Sequence, residues 1–382
     1  MQLQVMGAAS VPSEGVNKGL ITSIEEVISS ISKCLEKVER LVGVPIEHVW
    51  VGVSGSNVIT QENRGIISVT RADGEITHED VERVIENART VAEPPNYEML
   101  HVIPKSFTVD GQTGIKDPVG MTGLRLEVDA QIIYGLSAHL KNIQKTVYRT
   151  GTDIDDVVLS VLATGDIVAT DRQKELGLSV INIGSSTTSL VIYEHGDVQH
   201  IAVLPIGSEH VTNDLAIGLK TSIDIAEQVK IEHGSCVISK DIQKSSLNLR
   251  DLGGSDDIVS KRYIADIISA RVGEILEKID EEFTSVGKNR MLPAGVIFTG
   301  GGAKIQGLIP LAKDQLGLPA ALGYPIDTPS VSNYATDLSF TTAIGLASWG
   351  LHVDDTKPRR SRLKDVGNAI RGIGKVGKWL MP

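Results

Sequence analysis

The sequence predicts a mixed α/β protein built from more than one domain, and three observations carry that expectation. At 382 residues the chain is long for a single core. Apolar runs of strand-like period two alternate with runs of helical period along most of its length. In LSVINIGSSTTSLVI (178–192), a strand-like run (Leu178, Val180, Ile181, Ile183) enters a loop of Gly184, two serines and two threonines, and a second run (Leu190, Val191, Ile192) leaves it. Strand, small-residue turn, strand is how several ATPases wrap backbone N–H groups around phosphates.

In chain order, residues 3–7 read as a short strand. Helical spacing follows at Ile24, Val27, Ile28, Ile31, Leu35, Val38 and Val42, with Thr22 as the expected N-cap and Glu25 three residues on. IEHVWVGVS (46–54) reads as a strand. A segment of different texture spans 57–135: a strand at 65–70, a helix from Thr77, and strand-like runs at 99–111 and 124–134 make a compact α+β insert. Asp153, Asp155 and Asp156 read as a solvated turn or a helix start. Alternation then resumes, with a long helix at about 259–286 carrying Ile264, Ile267, Ile268, Val272, Ile275, Ile279 and Phe283 on one stripe. AGVIFTGGGA (294–303) is a strand entering a glycine turn.

Composition narrows the classes. Hydrophobic residues make up 41% of the chain, and no run approaches the roughly 18 apolar residues of a spanning helix. The start, MQLQVMGAASVPSEG, lacks a basic region followed by an apolar core, so a signal peptide is not expected. Cys34 and Cys236 are too few for a disulfide framework or a zinc site, which points to a reduced, cytosolic compartment. The nine histidines show no metal spacing. Net charge is −11, yet residues 357–382 hold eight Lys/Arg against Asp365 alone. That tail is therefore +7 and the body −18. An acidic body repels nucleic acid and anionic lipid, while the basic tail seeks them.

Three spaced elements point to one site. The first is the Gly184–Thr188 loop with the Gly207–Ser208 turn of LPIGSEHVTNDLA, followed by Asp214. The second is AEQVK (226–230), where Glu227 and Lys230 stand one helical turn apart. The third is TGGG (299–302). Their order resembles that of the second half of the actin/Hsp70-type ATPase fold.

Within that superfamily the chain resembles the FtsA family of bacterial cell-division proteins over nearly all its length. The resemblance rests on GEITHEDVERVIENA (74–88), DGQTGIKDPVGMTGLRLEV (110–128), KELGLSVINIGSSTT (174–188), LPIGSEHVTNDLAIGL (204–219) and FTGGGAKIQGL (298–308). It implies a two-lobed actin/Hsp70-like (ribonuclease H-like) fold with an inserted 1C subdomain at 57–135. Subdomain 1A would comprise 1–56 and 136–176, 2A would comprise 177–218 and 294–351, and 2B would comprise 219–293. A linker (352–361) and an amphipathic helix (362–382) would follow. The resemblance further implies an ATP-binding adaptor that polymerises at the inner membrane and tethers FtsZ filaments to the division ring. FtsZ's terminal peptide would dock on 219–293, later division proteins on 57–135, and the chain would act at the cytoplasmic face of the septum. Gly184, Ser185, Ser186, Thr187, Thr188 and Gly207 would face the phosphates of ATP, Glu227 and Lys230 the ribose or base, and Gly300, Gly301 and Gly302 the adenosine.

Two departures from the family pattern matter. Its N-terminal hairpin, with the first phosphate loop, has no counterpart before residue 182. The expectation is a start placed too far downstream, because an open sheet edge exposes strand groups that aggregate; loss of half the phosphate clamp is the alternative. Asn182 stands where the family's second loop has an aspartate that would hold hydrated Mg²⁺. Ser160 replaces a glutamate common in relatives, and Ser185 and Ser186 add bulk where backbone meets phosphate. No catalytic residue is assigned: hydrolysis is expected to be weak or absent, and ATP binding weakened.

In the tail, Leu363, Val366, Ile370, Ile373, Val376 and Leu380 fall within about 140° of a helical wheel, opposite Lys364, Arg371, Lys375 and Lys378, with Trp379 at the boundary. This is the pattern of a helix lying in an anionic membrane interface. The four glycines from Gly367 to Gly377 weaken it in water, so lipid is expected to induce it. The alternative is packing on the chain's own domain or a partner; nucleic acid would leave the apolar stripe unused. Two other functions share the fold, a chaperone-like ATPase and a pilus-assembly relative. Asn182 weighs against the first, and the tail with DGQTGIKDP against the second.

Overall fold

A computed structural model describes residues 4–55, 57–90, 93–238, 240–329 and 333–355. The tail and its membrane-facing residues lie outside the described residues. Helix α1 (Ile24–Val42) ends where Gly43 turns left-handed at φ 75° and donates its N–H to Glu39 O. Its N-cap is Ser23, not Thr22, because the Thr22 and Ser23 amides both donate to Gly15 O. The strand expected at 3–7 reduces, among the described residues, to one bond from Val5 N–H to Pro329 O.

Strand β1 (His48–Val53) leads into the insert, which comprises β2 (Val58–Ser68), α2 (His78–Arg89), β3 (Tyr97–Val109), β4 (Gln112–Ile115) and β5 (Arg125–Leu136). Its antiparallel sheet has the order β2-β5-β3-β4. Thr77 caps α2 in a reciprocal box with Asp80. Val81, Val84 and Ala88 bury one face of that helix on Leu126, Val128 and Ala130. The opposite sheet face contributes Leu100, Ile103 and Ile133 to the core of the neighbouring lobe, so insert and lobe share apolar packing.

That lobe adds α3 (Ser137–Tyr148), β6 (Asp153–Leu159), α4 (Ser160–Val168) and α5 (Asp171–Leu176). Strands β1 and β6 pair in parallel. The acidic cluster at 153–156 is thus strand rather than turn or helix start: parallel pairing fixes the backbone, and Asp155 reaches His48 Nδ1 at 3.1 Å. Buried His101 accepts the Leu159 N–H at 3.0 Å, and burial pushes its pKa down to about 4.

The second lobe is built on β7 (Leu178–Ile183), β8 (Thr188–Glu194) and β9 (Asp197–Leu204). Next come α6 (Ser208–Leu219), α7 (Ile223–His233), α8 (Lys240–Lys244) and α9 (Lys261–Ser285). Strand β10 (Gly295–Thr299), α10 (Leu308–Leu316), β11 (Ala320–Leu322) and α11 (Thr341–Asp355) complete the described chain. The five-stranded sheet runs β9-β8-β7-β10-β11, antiparallel through the β7–β8–β9 meander and parallel at β7–β10 and β10–β11. Period two divides β7 between two cores. Leu178 and Val180 pack with α4 residues, while Ile181 and Ile183 pack with the α9 stripe of Ile264, Ile268, Val272, Ile275, Ile279 and Phe283. Each such side chain, fully buried, contributes about 1.5–3 kcal/mol. The same alternation puts Asn182 on the α4 side.

Candidate functional site

Three chain segments converge at the C-terminal end of β7. The four-residue loop 184–187 joins β7 to β8 and is closed by Gly184 N–H donating to Thr187 O at 2.9 Å. The start of α6 is sewn to this loop: Ser208 N–H donates to Gly184 O and Glu209 N–H to Ser185 O, both at 2.9 Å. Gly207 permits that approach, since a Cβ there would stand 2.3 Å from Ser185 O. From the other side, Gly300 follows β10 at φ 89°, where a Cβ would stand 2.2 Å from Asn182 Oδ1. Gly302 packs as tightly on Ile183. Gly301 opens the short helical turn that follows.

Gly184, Ser185, Ser186 and Thr187 form the loop itself. Thr188 is the first residue of β8; it is buried and donates its hydroxyl to Ile206 O at 2.8 Å, so it braces the loop from below. Asn182 donates from Nδ2 to Thr342 Oγ1 at 3.0 Å, and Thr342 shares a 3.0 Å hydrogen bond with Thr164 of α4. The position thus ties the second lobe's sheet to α11 and α4. Two buried hydroxyls nearby, Thr299 and Thr341, have no hydrogen-bond partner among the described residues.

Glu227 and Lys230 share one face of α7 and meet at 2.6 Å. Both also engage Thr212 of α6: its hydroxyl donates to Glu227 Oε2 at 2.5 Å and accepts from Lys230 Nζ at 2.8 Å. Lys230 Nζ also donates to Ser208 O at 3.3 Å, so the pair abuts the same helix start that meets the loop. Asp214, singled out by its place after the glycine turn, lies elsewhere: Arg271 of α9 grips both its oxygens, at 2.5 and 3.0 Å. Those hydrogen bonds raise the Arg271 pKa.

Residue-level reading missed Glu209. Its Oε2 accepts hydrogen bonds from both Ser185 Oγ (3.2 Å) and Ser186 Oγ (3.0 Å). The available signal was its spacing, two residues beyond Gly207. Thr212 and Thr342 had no signal, because their roles arise only from packing.

A cavity of about 770 Å³ lies away from this loop, between the insert and the β8–β9 turn. Its cations are paired, Lys105 with Glu62 at 2.6 Å and Lys116 with Glu175 at 2.8 Å, and burial raises the Asp197 pKa. The loop, where three small-residue segments converge on one sheet end, is the better candidate site.

A family model described as "SHS2 domain inserted in FTSA" matches residues 55–134, and one described as "Cell division protein FtsA" matches residues 179–345. The cell division protein FtsA of Bacillus subtilis (strain 168) is 35% identical over 374 residues, spanning 97% of this chain and 83% of that protein. The FtsA of Neisseria meningitidis serogroup B is 32% identical, spanning 99% of this chain and 92% of that protein. Among solved structures, one titled "PilM-PilN type IV pilus biogenesis complex" superposes with TM-score 0.64 at 16% identity, covering 89% of each chain. MreB5 of Spiroplasma citri bound to ADP gives 0.54 at 12% identity, covering 89% of this chain and 79% of that one. At such identities these structures establish the fold alone, the actin/Hsp70-like arrangement of two lobes.

Proposed function

Because the chain belongs to the FtsA family of cell division proteins, we propose that it is an ATP-binding, membrane-tethered adaptor of the division ring. In this reading it polymerises at the cytoplasmic face of the membrane at the septum and recruits FtsZ filaments. The single observation that carries the nucleotide part is the convergence of the 184–187 loop, the Gly207 turn and the Gly300–Gly302 turn on one sheet end. The polyphosphate of ATP would lie against Gly184–Thr187 and Gly207, with Thr188 bracing the loop. The adenosine would lie between Glu227/Lys230 and Gly300–Gly302. The protein is better suited to hold a nucleotide than to hydrolyse it, since neutral Asn182 supplies no charge to order hydrated Mg²⁺.

Subdomains 1A, 1C, 2A and 2B are proposed at the boundaries given above. FtsZ's C-terminal peptide is assigned to 219–293, where Ile223, Ile231, Ile258 and Tyr263 are exposed apolar side chains on or beside α7 and α9. Later division proteins are assigned to 57–135, and the anionic bilayer to 362–382. Among the described residues no helix is long and apolar enough to cross a membrane. The test is co-sedimentation of FtsZ with anionic phospholipid vesicles in the presence of this chain. FtsZ is expected to pellet only when the chain is present, and Ile370→Glu is expected to abolish pelleting of both. FtsZ that stays in the supernatant beside vesicle-bound chain would overturn the adaptor assignment. Persistent pelleting of Ile370→Glu would overturn the membrane assignment of the tail.

A further inference from the structure

We propose that Glu209 is a carboxylate gate on the 184–187 loop, a negative charge supplied by the chain itself that must leave before a nucleotide's polyphosphate seats. The inference rests on the nucleotide reading of this loop. Two hydroxyl donors, Ser185 Oγ and Ser186 Oγ, converge on the single oxygen Oε2 of Glu209. Converging donors on one anionic oxygen is the arrangement with which small-residue loops hold phosphate oxygens. Here an internal carboxylate fills it.

The backbone beneath this contact is fixed while the side chain is not. The Ser208 and Glu209 amides donate to loop carbonyls, and the lack of a side chain at Gly207 lets the two segments sit in close contact. The Glu209 side chain is half-buried and bonds the two serine hydroxyls. Rotation about its own side-chain torsions therefore releases the serines without disturbing α6. While it stays, a phosphate in the same cradle meets a unit negative charge a few ångströms away. Repulsion at that range, in the effective dielectric of a protein surface, weakens binding by about tenfold or more. Ser185 and Ser186 then have a definite role: with glycines there, nothing would hold the carboxylate on the loop.

The test is calorimetric titration of ATP·Mg²⁺ and, separately, of uncharged adenosine into the full chain. The wild type is compared with Glu209→Gln, Glu209→Ala and the double variant Ser185→Gly/Ser186→Gly, each verified as folded by circular dichroism. Both Glu209 variants are expected to bind ATP at least about tenfold more tightly than the wild type, and the double variant to gain less because it also loses the two hydroxyl donors, with adenosine affinity unchanged throughout. Equal ATP affinity in wild type and variants, with binding measurable in each, would overturn the gate and leave the nucleotide reading standing. A parallel gain for adenosine would overturn the gate as well, because the effect would not be electrostatic. No ATP binding by any of the four proteins would overturn the nucleotide reading and the gate with it.

Discussion

Gly300→Ala tests whether the glycine turn after β10 exists to let Asn182 approach. Gly300 has φ 89° and ψ 169°. A side chain in that region costs about 1–3 kcal/mol in backbone strain. The new Cβ would also stand 2.2 Å from Asn182 Oδ1 and 2.6 Å from Ile183 O. Neither neighbour withdraws freely, since Asn182 is bonded to Thr342 and paired with Thr299, and Ile183 is paired with Thr188. Overpacking of this kind adds about 1–3 kcal/mol, so the whole substitution should destabilise by about 2–6 kcal/mol. Gly287 supplies the control. It is also left-handed, at φ 69°, but nothing lies within 4 Å of a Cβ there. Gly287→Ala therefore carries only the backbone cost, about 1 kcal/mol. Urea unfolding followed by circular dichroism compares the two. Because a chain of several lobes need not unfold in one step, the first transition is the one to read. Midpoint shifts of equal size would refute the reasoning, for they would mean that the contact with Asn182 is not a constraint.

Two further predictions concern partners outside the loop. Arg271→Ala leaves the half-buried Asp214 without its bidentate partner and should destabilise by about 1–3 kcal/mol. ATP affinity should not change; a loss of affinity with no shift in the urea midpoint would place Asp214 in the site after all. For His101, burial lowers the pKa from 6.5 to about 4, so on acidification the unfolded chain takes up the proton first. This contribution is complete above the unfolded pKa and is lost as pH falls toward the folded one. It amounts to about 2 kcal/mol between pH 7.5 and pH 5. His101→Gln keeps an acceptor for the Leu159 N–H without titrating, so its stability should fall less over that interval. Identical acid sensitivity in both proteins would rule His101 out as the source.

What the sequence revealed follows from which features are local. The α9 stripe from Ile264 to Phe283 and the helix starting at Thr77 depend on spacing within one segment, and both formed as expected. So did the strand–loop–strand around Gly184, whose small residues admit a tight reversal. Failures came where a distant backbone intervened. Gly15 O captures the amides of Thr22 and Ser23 and moves the cap of α1 by one residue. Parallel pairing with β1 turns the 153–156 acids into strand, a pairing whose partner lies about a hundred residues upstream. In the site, the converging glycines were legible because each marks a close approach. Thr212 and Thr342 were not, since a threonine's hydrogen bond to a separate element leaves no pattern in either.

Most of the site's polar side chains satisfy one another internally. Asn182 is bonded to Thr342, Ser185 and Ser186 to Glu209, and Lys230 to Glu227, Thr212 and Ser208 O. A nucleotide that uses any of these groups must break a bond already made, forfeiting about 1 kcal/mol for each neutral pair and about 1.5–3 kcal/mol where a charge is involved. Two buried hydroxyls lack partners among the described residues, Thr299, which pairs in register with Asn182, and Thr341, next to Thr342. Buried polar groups of that kind favour a bound water or ligand atom. The loop end of the site is therefore occupied largely by its own side chains, while Thr299, in register with Asn182, still has a hydroxyl to offer. On the proposed nucleotide reading, that asymmetry would weaken ATP binding even before the missing aspartate is considered, because the penalty would fall on the groups assigned to the phosphates.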